Sequence, residues 1–156
     1  MSDLIKTLAN LANMEQTHAS SLSNSATDVK NVIVQGILSG IAFDSHKHAK
    51  FYQAILSLLQ QSGAALNEDD YNQIATVIQK HIETEERMIS EAKTMLDSLP
   101  DKRIQHLLTE IYNDEVKHHA LMTRILEAVI RREAIFEEDW WDAIWQDVPF
   151  HGSPGG

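Results

Sequence analysis

Four long stretches of the chain repeat apolar residues every three to four positions, the spacing of a helix with one buried face. The first runs from about residue 3 to 24, with Leu4, Leu8, Leu11 and Leu22 on one side. Thr27 then reads as an N-cap. The second stretch runs to about Gln60 through Val34, Leu38, Ile41, Tyr52, Ile55 and Leu59, and Ser62-Gly63 stops it. Asn67 with Glu68, Asp69 and Asp70 predicts an acidic helix start, suited to the positive end of the helix dipole. The third stretch runs to about Leu99 through Ile74, Ile78, Ile82, Ile89 and Leu96. Pro100-Asp101 is a tight break, and the fourth runs to about Arg132 through Ile104, Leu108, Ile111, Met122, Leu126 and Val129. No segment alternates as a strand does, and the three prolines, at 100, 149 and 154, leave the first 99 residues uninterrupted. The expectation is an all-α antiparallel four-helix bundle over residues 1–132. Residues 133–156 hold all three tryptophans (Trp140, Trp141, Trp145) and a Pro/Gly-rich end with His151, which predicts a short amphipathic helix and an irregular tail.

The centres of these apolar stripes are not apolar. At about 100° per residue, Leu4, Leu8, Leu11 and Leu22 fall within about 40° of Glu15. Ile74, Ile78, Ile82, Ile89, Ala92 and Leu96 surround Glu85 in the same way, and Ile104, Leu108, Ile111, Met122 and Leu126 surround Glu115. His118 shares the face of Glu115, three residues on. In the second stretch Ser45 and His48 hold the stripe, with Asp44 on its edge.

A shift of seventy residues brings these positions into register. Glu15 lands on Glu85, Ser45 on Glu115, His48 on His118, Lys47 on Lys117 and Asp44 on Asp114. The apolar positions Leu4, Leu8, Val34, Leu38 and Ile41 land on Ile74, Ile78, Ile104, Leu108 and Ile111. The chain therefore reads as two related helical hairpins, each bringing polar residues to mid-depth. Several carboxylates buried without compensation would cost many kcal/mol. The neighbouring cations Lys47, Arg87 and Lys117 point about 160° away from the stripe centres and do not reach them. Divalent metal ions are the natural compensation.

Composition narrows the chemistry. The 156 residues include no cysteine, which excludes disulfides, iron–sulfur clusters, rubredoxin centres and thiol catalysis. A net charge of -10 argues against a nucleic-acid partner. The uncharged run from Asn31 to Phe43 is too short to span a bilayer, and the N-terminus lacks the basic and apolar pattern of a signal peptide. A cytoplasmic protein without a membrane partner is the expectation.

The set of glutamates and histidines resembles the ferritin-like superfamily of di-iron carboxylate proteins, and within it the rubrerythrin-like proteins lacking a rubredoxin domain. Their pattern is one glutamate on each of two helices and a Glu-x-x-His on each of the other two. Glu115-Val116-Lys117-His118 is the complete motif here, and Glu15 and Glu85 match the lone glutamates. Ser45-His46-Lys47-His48 departs from it, with serine in the glutamate position. Either Asp44 supplies the missing carboxylate or one bridge is absent. The resemblance implies two metal ions held by Glu15, Asp44, His48, Glu85, Glu115 and His118, with Glu115 bridging. The ligands suit iron, manganese or zinc, and the family favours iron. Asp44 and Asp114 have a second reading, as acceptors behind imidazole N–H groups.

Two further histidines lie outside the usual pattern. His18 follows Glu15 by three residues and His81 precedes Glu85 by four. They read either as extra ligands or catalytic proton donors to bound oxygen or peroxide, or as buried, hydrogen-bonded supports. His46, His106, His119 and His151 read as surface or flanking residues. The second helix is apolar beyond its inward stripe, at Ile33, Gly36, Ile37, Gly40 and Phe43. Its cover is either the tryptophan segment or a second subunit, and a homodimer is the expected assembly. The function implied is reduction of dioxygen or hydrogen peroxide by a rubrerythrin-like peroxidase or ferroxidase. With no cysteine relay, electrons come from an external donor or from ferrous iron itself. The alternatives are metal binding or iron storage without turnover, and a structural bundle with protonated carboxylates.

Overall fold

The computed structural model describes residues 2–60 and 67–131. Four long helices and no strand occur among them: α1 (Ser2–Thr27), α2 (Val32–Gln60), α3 (Glu68–Ser98) and α4 (Lys102–Arg131). The all-α class expected from the periodicity is what the chain adopts. It divides into two compact units, Met1–Gly63 and Ala64–Gly156. The first is the α1–α2 hairpin and the second contains the α3–α4 hairpin. The stop at Ser62-Gly63, the tryptophan segment, the tail and His151 lie outside the described residues.

Helix ends follow side-chain capping, with one correction. Asn67 caps α3 reciprocally: its side chain accepts from the Asp70 N–H at 3.0 Å, and its own N–H donates to the Asp70 carboxylate at 3.0 Å. Asp101 receives the Arg103 N–H at 2.9 Å at the start of α4, at the break marked by Pro100. Thr27, expected to cap α2, instead closes α1. Its hydroxyl donates to the Asn24 carbonyl at 2.7 Å, while Asn31 caps α2 by accepting from the N–H groups of Ile33 and Val34 at 3.1 and 3.2 Å. Asparagine is as good a cap as threonine or better, and it stands immediately before the first helical residue. The turns share a tie. Gln35 donates its side-chain amide to the Ala26 carbonyl at 3.3 Å, and Gln105, seventy residues later, donates to that of Leu99 at 2.8 Å.

Each hairpin closes along a seam of alternating four- and three-residue steps. In α1 it runs Leu8, Ala12, Glu15, Ala19, Leu22, Ala26, and in α2 Leu38, Ala42, Ser45, Ala49, Tyr52, Leu56. In α3 it runs Ile78, Ile82, Glu85, Ile89, Ala92, Leu96, and in α4 Leu108, Tyr112, Glu115, His119, Met122, Leu126. All are buried or half-buried. The mean period is 3.5, that of a coiled coil, and seventy residues are ten such heptads, so the repeat preserves seam phase.

Beside the seam a second row is exposed within each hairpin. Val34, Ile41, His48 and Ile55 in α2 stand seven residues apart and are exposed, as are Ile104, Ile111 and His118 in α4. Ile41 is 43% exposed and Ile111 48%. Leu4 and His18 in α1, and His81, Met88 and Met95 in α3, extend the pattern. A stripe counted at 3.6 residues per turn drifts about 20° per heptad from a 3.5 seam, and so merges the two rows. The back of α2 is open as well: Phe43 is 76% exposed, and a Cβ on Gly36 or Gly40 would meet nothing within 4 Å among the described residues. No helix among them is long and apolar enough to cross a membrane.

Candidate metal centre

The second hairpin gathers three of the expected ligands. Glu85 on α3 and Glu115 and His118 on α4 each offer a donor atom, and these atoms lie within 4.8 Å of one another. The seam delivers both carboxylates. His118, one turn beyond Glu115, comes from the open row, with its Nδ1 4.0 Å from Glu85 Oε1. The Glu85 side chain is only 12% exposed, whereas that of His118 is 51% exposed, so the cluster runs from the seam to the surface.

Glu85 is the residue that does not balance. Its Oε2 is buried and has no hydrogen-bond partner among the described residues. Burial, and after it the charge of Glu115, push its carboxyl up to about 7, with His119 partly offsetting them. A proton would leave the carboxyl neutral, with a Glu115 carboxylate oxygen within 4.8 Å as a neighbouring acceptor. A divalent cation relieves both the orphaned oxygen and the repulsion from Glu115. Two carboxylates and an imidazole fit iron, manganese or zinc.

The first hairpin repeats part of this arrangement. Glu15 Oε1 lies 3.5 Å from His48 Nδ1, the same cross-helix pair in the same register as Glu85 and His118. Ser45 replaces Glu115; it is 5% exposed and its Oγ lies 3.2 Å from His18 Nδ1. These residues do not form a second three-donor group as close as that of the second hairpin. An open cleft of about 220 Å³ beside them is lined by Leu11, Met14, Glu15 and His18.

The remaining candidates lie apart. Asp44 is exposed and ion-paired to Lys47, one turn along α2, and does not turn inward. Its carboxylate answers a neighbouring ammonium at little desolvation cost, so the inward alternative has no support from its position. His81 is exposed in the open row of α3, outside the three-donor cluster. His18 and His81 are exposed, and His18 is hydrogen-bonded to Ser45. Asp114 is exposed. Sequence reasoning missed His119, whose Nε2 lies 3.3 Å from Glu86 Oε1 across the α3–α4 seam. Counting by heptads would have found it, because His119 takes the seam position that Ala49 holds in the first hairpin. It also missed the pairing of Ser45 with His18.

No protein-family model, curated protein or solved structure matches the chain, so the ferritin-like resemblance stands on its residues alone.

Proposed function

We propose that the chain is a metalloprotein of ferritin-like chemistry that binds iron and passes electrons to dioxygen or hydrogen peroxide, in the manner of a rubrerythrin-like peroxidase or a ferroxidase. The observation that carries this reading is Glu85: a half-buried carboxylate whose Oε2 is buried without a partner, its donor atom within 4.8 Å of those of Glu115 and His118. Glu85 and Glu115 would bind the ion from the seam, and His118 would close the site on its exposed side. Two ferrous ions, or one ion re-reduced by an external donor between steps, would supply the two electrons that reduce peroxide to water. The chain has no cysteine to relay electrons, so re-reduction falls to an external donor. The resemblance implies two ions per chain, and the second hairpin by itself holds donors for one. The exposed Ile37 and Phe43 of α2 support a homodimer.

Anaerobic ferrous loading, followed by mixing with dioxygen or peroxide, tests the reading. Stoichiometric binding and oxidation of the bound iron are expected, and relative rates identify the oxidant. Light scattering of the loaded protein separates a dimer from a storage shell, which requires a large oligomer. If the chain binds no iron, manganese or zinc and its melting temperature ignores chelation, Glu85 is a structural carboxylic acid and the proposal fails.

A further inference from the structure

The contact of His119 with Glu86 stands one residue from the candidate ligands on both helices of the second hairpin. Glu86 follows Glu85 on α3, and His119 follows His118 on α4. A carboxylate only accepts, so the imidazole Nε2–H donates to Glu86 Oε1, at 3.3 Å. Successive residues of a helix point about 100° apart. Glu85 and His119 take seam positions, with side chains 12% and 28% exposed, while Glu86 and His118 flank the seam at 64% and 51%. In an antiparallel pair the residue order turns in opposite senses on the two helices, so the two flanking side chains fall on opposite sides of the seam. Glu85 meets His118 on one side, and His119 meets Glu86 on the other. A roll of either helix that shortens one contact lengthens the other.

We propose that Glu86 and His119 are positioning residues of the metal centre: their cross-helix hydrogen bond fixes the rotation of α3 against α4 and so holds Glu85 in reach of Glu115 and His118. The inference rests on the metalloprotein reading above and extends it to two residues that the usual ligand pattern does not include. A centre assembled from two helices is only as well defined as their relative rotation, because ligand distances tolerate displacements of a fraction of an ångström. The first hairpin supplies the converse. Gln16 and Ala49 hold the positions of Glu86 and His119, and alanine has no side-chain donor to offer. Among the described residues the Glu15–His48 contact there has no hydrogen bond from position 49 to balance it, and no three-donor group as close as that of the second hairpin forms.

Manganous titration of the full chain, read by electron paramagnetic resonance, tests this, because the free and the bound ion give different spectra. Glu86→Ala and His119→Ala should each weaken binding by about 10-fold, the low end for losing a ligand's support. The double variant should bind no worse than either single one, since all three lose the same bond. Glu86→Gln keeps the accepting oxygen without the charge and should stay within about 3-fold of wild type, because an exposed charge is largely screened. The spectrum of the bound ion should change in the alanine variants and return to the wild-type form in Glu86→Gln, which a general loss of stability does not produce. Glu86 is exposed, so its replacement leaves the fold intact even if that of His119 does not. Additive losses in the double variant, or Glu86→Gln as damaging as Glu86→Ala, would mean that charge alone draws the ion in. Either result, or affinities indifferent to every variant, would overturn the inference and leave the metal centre standing. A wild-type chain that binds no divalent ion at all would overturn the metalloprotein reading and this inference with it.

Discussion

The α1–α2 and α3–α4 hairpins are the same construction filled differently. Both place a glutamate from the first helix against a histidine from the second, with Glu15–His48 at 3.5 Å and Glu85–His118 at 4.0 Å. Both tie their turn with a glutamine seventy residues from its counterpart. Their seams diverge. The first is lined by Ala12, Ala19, Ala42, Ser45 and Ala49, where the second has Ile82, Ile89, Tyr112, Glu115 and His119. A shared backbone register preserves where side chains meet, while single replacements decide what charge collects there. Burial, and after it the second carboxylate of the layer, raise the Glu85 pKa to about 7; the first hairpin places only Glu15 in the matching layer.

Removing the charge pair should produce the largest change. Glu115→Ala or Glu85→Ala is expected to weaken ion binding to the second hairpin by at least about 100-fold, since losing a ligand exceeds the 10- to 100-fold cost of losing a ligand's support. Competition against a chelator of known affinity measures this.

The pH dependence of stability should follow next. Glu85 ionises near 4.5 when unfolded and near 7 when folded, so its contribution is complete below about 4.5 and is lost as pH rises through 7. Between pH 5 and 8 the metal-free protein should lose on the order of 1–3 kcal/mol from this group. Denaturant titrations across that range should show a slope that Glu85→Gln abolishes. A flat wild-type profile would mean the carboxyl is not desolvated.

Making the hairpins alike sharpens the contrast from the other side. Ser45→Glu installs a Glu-x-x-His on α2 and should strengthen manganous binding to the first hairpin. In the metal-free state it should cost about 1–3 kcal/mol, because the position is buried and small. Calorimetry with and without manganese checks both signs. The smallest effect belongs to Asp44→Asn, which breaks an exposed pair with Lys47 and should change stability by no more than about 1 kcal/mol. It should leave metal affinity unaltered; loss of affinity there would restore Asp44 to the ligand set.

Most of the fold was legible in the sequence because helices with uninterrupted apolar periodicity announce themselves locally. Asn67 and Pro100 marked real boundaries for the same reason: a cap or a missing N–H acts within one turn. Thr27 misled because Asn31, four residues on, competes for the same task and stands closer to the helix. In the candidate site, Glu115 and His118 were legible because their spacing puts them on one face of α4, and Glu85 because it centres the apolar stripe of α3. The pairing of His18 with Ser45 and of His119 with Glu86 was not. Those contacts depend on the rotation of one helix against its partner, which a 3.6-residue stripe cannot specify and a 3.5-residue seam does. The row exposed within each hairpin was merged with the seam by the same approximation, since Ile41 and Ile111 share one 3.6-residue stripe with Leu38 and Leu108.

The alanines of the first seam have a consequence for endurance in the cell. Each contributes one methyl group where a leucine would contribute four carbons, and every missing methylene forgoes about 0.8 kcal/mol of burial. Closed this sparingly, the first seam draws less stability from burial than the second, so an ion bound to the chain would add a larger share of its margin over unfolding. Such a chain would be degraded fastest when its ion is scarce, and its abundance would then track supply without any separate sensor.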